Sequence, residues 1–282
     1  LRAALFTGAF VKGREQVSPL DIAILIAVVM FAIESKSVAQ RWPKVAGWIP
    51  RALVLNALGF VSIFLFGEGL RDWLRAHRLF DGEQLGTVGG AVVGYGVMSF
   101  VNYWWHRARH RNDFLWRWLH QLHHSAQRIE LLTTFYKHPV ESLVDSLGAL
   151  IVLYMVVGVS PAAASIALML AGVLELFFHW NVKTPHWVGY IIQRPEAHLV
   201  HHEAGLHAYN YSDLAIWDIL FGTFRNPREW NATCGLGEKN EQRLFEMLRG
   251  VDVTKQPLDE PPPAALEPGG MKWLPEPVRE AV

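Results

Sequence analysis

Five apolar runs, at residues 19–33, 52–70, 85–105, 143–159 and 162–180, set the frame for this chain. An α-helix crosses a hydrocarbon core of ~30 Å with about 20 apolar residues, and with their flanks these runs approach that length. Ser18-Pro19 marks the start of the first, with proline where the first helical turn tolerates it. The last two are joined only by Ser160-Pro161, a joint so short that they form an antiparallel hairpin. Gly86, Gly89, Gly90, Gly94 and Gly96 mark the third run as a central helix, because small residues let membrane helices approach closely. The same glycines are expected to wall a slot between helices. Only 18% of the 282 residues are charged, against about 25% in soluble domains. We therefore expect an all-α integral membrane bundle of four to five transmembrane helices.

Composition also removes several function classes. The formal net charge is zero, so no bulk attraction draws the chain to nucleic acid. A single cysteine, Cys234, excludes an intramolecular disulfide, a cysteine-ligated iron–sulfur cluster and a zinc ribbon. The chain opens on Leu1 with a mixed segment through Ser18 that suits an interface, and no cleavable signal pattern is evident. One membrane-embedded domain is expected over residues 1–254. The Pro-rich stretch 255–282 reads as a strap or disordered tail.

The chemistry gathers at the ends of the runs. Residues 103–141 hold six of the thirteen histidines. His106 and His110 stand four apart, and His120, His123 and His124 form H-x-x-H-H, a pattern repeated at His198, His201 and His202. Positions i, i+3 and i+4 share a helix face, and neutral imidazole is the commonest metal-ligating side chain. A lone histidine at a helix end is usually structural. Two such clusters and an H-x-x-x-H pair on one side of a membrane would be costly to desolvate without a shared partner. The third and fifth runs end on the same side, which puts all these histidines there. The connection carrying Lys36, Arg41, Lys44 and Arg51 lies there too, so the positive-inside rule makes that face cytoplasmic and the histidines part of a cytosolic helical cap.

Eight or more imidazoles exceed what one tetrahedral ion takes and point to two metals. Imidazole suits iron, copper and zinc, so the ligand type leaves the metal open. A zincin protease needs H-E-x-x-H; His202-Glu203 with His207 is one residue too long. Asp145 and Glu175 lie inside apolar runs and are expected to face the protein interior.

Beyond the histidines, the wording of residues 103–224 resembles the fatty acid hydroxylase superfamily, which includes sterol desaturases, sterol methyl oxidases, sphingolipid fatty-acid hydroxylases and the alkylglycerol monooxygenase branch. YWWHRARH resembles its Tyr-Trp-x-His-Arg-x-x-His segment, LWRWLHQLHHSA its Leu-Trp-x-x-His-x-x-His-His-Ser, and His138-Pro139-Val140-Glu141 its His-Pro-x-Glu. NYSDLAIWDILFGTF resembles the closing Asn-Tyr-Gly…Trp-Asp-x-x-Phe-Gly-Thr.

The resemblance implies a membrane-bound non-haem di-iron oxygenase that uses O2 and two electrons to hydroxylate or desaturate a C–H bond of a lipid such as a sterol or fatty acyl chain. It implies as metal ligands His106, His110, His120, His123, His124, His198, His201 and His202, with His179 as a ninth. Some members carry another histidine where this chain has Lys183. Glu141, Glu175, Asp213 and Asp218 are candidate acceptors that orient ligand imidazoles, with a helix cap or an arginine salt bridge as the alternative for each. His138 is expected to support the ligands or to be structural, and His207 is a further candidate. The electrons are expected from a separate donor, a reductase or a ferredoxin-like or haem carrier, because the chain has no nucleotide loop or cysteine cluster of its own. A zinc-dependent membrane hydrolase and a non-catalytic lipid-binding relative are the alternatives.

Overall fold

A computed structural model describes residues 17–66 and 68–255. The interfacial segment expected before Ser18 falls almost wholly outside the described residues, and so does the tail beyond Lys255. Among the described residues the architecture is all-helical, with isolated bridges (Ile192 to Leu214, Glu203 to Cys234) in place of strands.

Helix α1 (Pro19–Glu34) starts on a capping box in which Ser18 and Asp21 bond each other's backbone N–H. Helix α2 (Trp48–Leu65) ends at Phe66, where the backbone turns extended, and the amphipathic α3 (Glu68–Ala76) follows. The run expected to continue to Leu70 is therefore broken. Helix α4 (Gly86–Arg111) has 26 residues, or about 39 Å at 1.5 Å per residue. Crossing the apolar core uses about 20 of them, so the turns bearing His106 and His110 project beyond it. Short α5 (Asp113–Leu119) and α6 (Gln121–His124) follow, α5 capped by the Asn112 side chain. Helix α7 (Pro139–Leu150) widens into a π-helical stretch over Ile151–Val157, and α8 (Pro161–His179) returns beside it. Gly158 makes the intervening turn at φ +71°, where a Cβ would overlap the Phe80 carbonyl. Helices α9 (Pro195–His201) and α10 (Ala215–Leu220) and the short α11 (Glu238–Glu241) and α12 (Leu244–Met247) complete the cap.

Three helical stretches are long and apolar enough to cross a membrane, Gly82–Arg111, Pro139–Val157 and Pro161–His179, and Trp48–Ser62 is a shorter apolar helix. The first run is also short: α1 has 16 residues, about 24 Å. Its outer face nonetheless suits lipid, with Leu25 63% and Val28 61% exposed, as are Val88 at 75% and Val92 at 64% on α4. An apolar surface of that extent marks an apolar environment.

Lipid is as apolar as leucine, so close packing holds such helices together more than burial does. A Cβ at Gly90 would lie 3.1 Å from the Ala163 Cβ, and one at Gly94 3.0 Å from Leu153 Cδ2. The glycine-rich half of α4 is thus a contact surface against the α7–α8 hairpin, and the expected slot wall comes from the other half of the helix. On the polar side, buried Glu34 accepts from the backbone N–H of Asn181 at 2.8 Å and of Leu131 at 3.2 Å. That ties the end of α1 to the segment after His179.

Candidate metal centre

Nine histidines converge at the ends of α4 and α8 and under the cap. His106, His110, His120, His124 and His201 form one group and His123, His179, His198 and His202 another, with the ligand nitrogens of each group within 4.8 Å of one another. These are the nine residues expected as ligands. Adjacent histidines diverge: successive residues on a helix point about 100° apart, so His123 and His124 face different groups, and so do His201 and His202.

Four of the nine have their outer nitrogen held by a fixed acceptor. His106 Nδ1–H donates to the Tyr211 carbonyl at 2.7 Å, His201 Nδ1–H to the Tyr209 carbonyl at 2.7 Å, and His179 Nδ1–H to the Glu175 carbonyl one turn back at 2.9 Å. His120 Nδ1–H donates to Glu141 Oε1 at 2.9 Å, and the same oxygen accepts from Arg109 at 2.7 Å. Such partners fix both tautomer and ring orientation. With the proton on Nδ1, Nε2 carries the lone pair.

Where Nδ1–H is held on both rings, the inward nitrogens face one another without a proton between them. His106 Nε2 and His120 Nε2 lie 2.8 Å apart, and both rings have Nδ1–H spoken for. His201 Nε2 is buried and has no hydrogen-bond partner. In the second group, where the Nδ1 of His179 is held and that of His123, His198 and His202 has no partner among the described residues, Nε2 contacts run His123–His179 at 3.3 Å, His179–His198 at 3.1 Å and His198–His202 at 3.0 Å. Facing lone pairs repel unless a cation lies between them, and imidazoles around one ion at 2.0–2.1 Å place their nitrogens about 3 Å apart. The donor set therefore fits two metal ions. Burial keeps the imidazoles neutral, as ligation requires. It pulls His120, His123, His124, His198 and His202 well below the usual range, and His201 to about 3.

The carboxylates divide. Glu141 touches a ligand imidazole directly. Glu175 pairs through its side chain with Lys137, and only its backbone carbonyl reaches His179. Asp218 accepts from the N–H of Tyr211 at 2.8 Å and of Ser212 at 2.9 Å, which braces the carbonyl that holds His106. Burial raises its pKa to about 6 against those hydrogen bonds. Asp213 binds Ser99 and Tyr95, anchoring the same loop to α4. His138 caps α7 by accepting from Val140 N–H at 3.0 Å, a structural role. His207 approaches His124, Nδ1 to Nδ1 at 3.1 Å, but belongs to neither group. It sits with Tyr209 and Asn210 in a stretch of positive φ (43°, 65° and 48°), strain of the kind found where a loop is shaped for a site.

Sequence reasoning missed the carbonyls of Tyr209 and Tyr211, for which no side-chain signal exists, and the role of Arg109. The arginine between two histidines in HRARH was its only trace. The slot expected between the helices is a cavity of about 280 Å³ that opens from His106, His120, His123, His179 and His198. It rises between α2, α4, α7 and α8 past Met98, Ala149, Leu150 and Leu168.

Residues 91–223 match the fatty acid hydroxylase family. The chain is 31% identical over 57% of its length to Ornithine lipid hydroxylase OlsE of Rhizobium tropici, covering 49% of that protein. It is 32% identical to Very-long-chain aldehyde decarbonylase GL1-9 of Oryza sativa subsp. indica, over 47% of this chain and 53% of the relative. It is 29% identical to Delta(7)-sterol-C5(6)-desaturase of Nicotiana tabacum, over 62% of this chain and 64% of the relative. The chain thus spans about half the length of the first of these relatives. No solved structure matches it.

Proposed function

We propose that this chain, whose residues 91–223 match the fatty acid hydroxylase family, is a membrane-bound di-iron oxygenase that hydroxylates or desaturates a C–H bond of a lipid. The observation that carries the reading is the pair of buried imidazole groups at the mouth of a cavity sunk between apolar helices. In this reading His106, His110, His120, His124 and His201 hold one iron, and His123, His179, His198 and His202 the other. Bound there, the irons supply O2 activation, and a separate donor supplies two electrons per turnover. The protein's part is positional: Glu141 and the carbonyls of Tyr209, Tyr211 and Glu175 fix the imidazole orientations, and the helices keep water from the reacting carbon. The relatives named for a hydroxylase, a decarbonylase and a desaturase support lipid oxidation while leaving the lipid open. The reading takes residues 1–254 as one domain, with the metal centre on the cytoplasmic face.

The test is metal content and Mössbauer spectroscopy on protein from iron-57-grown cells, purified without chelator. Two irons per chain are expected in the wild type, and about one each in His110→Ala and His123→Ala. Zinc alone, retained when iron is supplied, would favour a hydrolase instead. Metal retained by a chain that neither consumes O2 with a reductant nor oxidises lipid would leave only a lipid-binding role.

A further inference from the structure

The cavity is polar at a particular depth. Its α8 wall runs His179, Glu175, then Ala171 and Gly172, then Leu168; its α4 wall runs His106, Asn102, then Met98. On α7, Asp145 lies one turn from Glu141, which holds His120, and Ala149 lies one turn farther. Each helix thus presents first the metal end, then a polar residue one turn on, then apolar lining. Lys137 joins the polar level. It pairs with Glu175 and lies 3.7 Å from Asp145, which in turn is 3.3 Å from Arg109 and accepts from Trp105 Nε1 at 3.1 Å. The Asn102 amide and Ser142 hydroxyl line the same cavity and make no side-chain hydrogen bond among the described residues.

A plain hydrocarbon threaded past this level would leave those groups facing methylenes with their hydrogen bonds unmade. The wall charges already have partners, Arg109 with Glu141 and Asp145, Lys137 with Glu175 and Asp145, and Asp213 with Ser99 and Tyr95, so a ligand with net charge would meet no free counter-charge. We propose that the lipid taken by this site carries a neutral hydrogen-bonding group, a hydroxyl or an amide, received by Asn102, Ser142 and the Lys137–Glu175 pair. One helical turn is about 5.4 Å, the reach of about four bonds of extended chain. The group therefore lies within about four bonds of the carbon presented to the metals, and the apolar remainder lies along Met98, Leu150 and Leu168. The regiochemical half of this inference rests on the oxygenase reading; the binding half does not.

The experiment equilibrates the full chain, in dodecyl maltoside micelles, with carbon-14-labelled 1-hexadecanol, N-hexadecylacetamide or n-heptadecane, each corrected for partition into protein-free micelles. Retention of the alcohol and the amide is expected to exceed that of the alkane about fivefold or more, a hydrogen bond's worth of preference. Asn102→Ala with Ser142→Ala, which removes groups bonded to no described side chain, should bring both down towards the alkane with alkane retention unchanged. Equal retention of the three ligands, or an undiminished preference in the double variant, would overturn the proposal. In iron-loaded protein given reductant and O2, product mass spectrometry should place oxidation within about four bonds of the polar group; mid-chain oxidation would also overturn it. A preserved binding preference without O2-dependent turnover would sink the oxygenase reading and uphold the polar-group site.

Discussion

Glu141 is the side chain on which the first histidine group depends most visibly. Fully buried, it accepts from His120 and Arg109 through one oxygen, while its other oxygen has no partner. Glu141→Gln keeps the shape but weakens the acceptor. Loss of such a partner typically costs 10–100-fold in metal affinity, and we expect that loss for one of the two metals in a chelator titration. Two unaltered binding steps would show that the carboxylate is only a packing element. The histidines also predict a pH dependence. Burial places the folded-state pKa of the six cap histidines below the unfolded value of about 6.5. Between those values the unfolded chain binds more protons, so stability is full above pH ~6.5 and falls as pH drops through it. At pH 5.5 each such group costs the metal-free protein about 1.4 kcal/mol. A metal-free apparent Tm that is flat from pH 7.5 to 5.5 would contradict this.

Among the helices, the α4 contact with the hairpin fixes where the groups meet, because His106 and His179 sit at the far ends of the two packed elements. Gly90 faces Ala163 at a distance that leaves no room for a branched side chain. Gly90→Val should cost about 1–3 kcal/mol through overpacking and lower metal content with the apparent Tm. Gly96, on the same helix, has open space where a side chain would begin, with no neighbouring atom within 4 Å of a Cβ placed there. Gly96→Ala should therefore leave both quantities unchanged or raise the Tm slightly. Equal damage from both substitutions would mean that helix flexibility, and not contact, is what the glycines provide.

For the molecule as a whole, the question is which side of the membrane holds the cap. Leu79, 66% exposed, lies near the start of α4, whereas Ala232 is exposed on the cap. In a Cys234→Ser background, a membrane-impermeant maleimide should label Leu79→Cys in intact cells and Ala232→Cys only after permeabilisation. The reverse pattern would put the centre on the outer face. Cys234 itself, 4% exposed, should not label in the folded protein.

The sequence by itself determined the helical architecture and singled out eight of the nine histidines, because length, hydropathy and i, i+3, i+4 spacing are local properties that survive any packing of the helices. His179, outside those patterns, was marked only by the family resemblance. It also placed the two clusters at the ends of the apolar runs. Tertiary structure decided what local spacing cannot carry. It split the neighbours His123 and His124 between two groups according to where α8 and α9 approach, and it chose backbone carbonyls over side-chain carboxylates for three imidazoles. It reserved the glycines of α4 for packing and opened the cavity lower on that helix. It also brought Lys137 to Glu175, a pair 38 residues apart, whose meeting depends on how α7 and α8 pack and on no pattern within either.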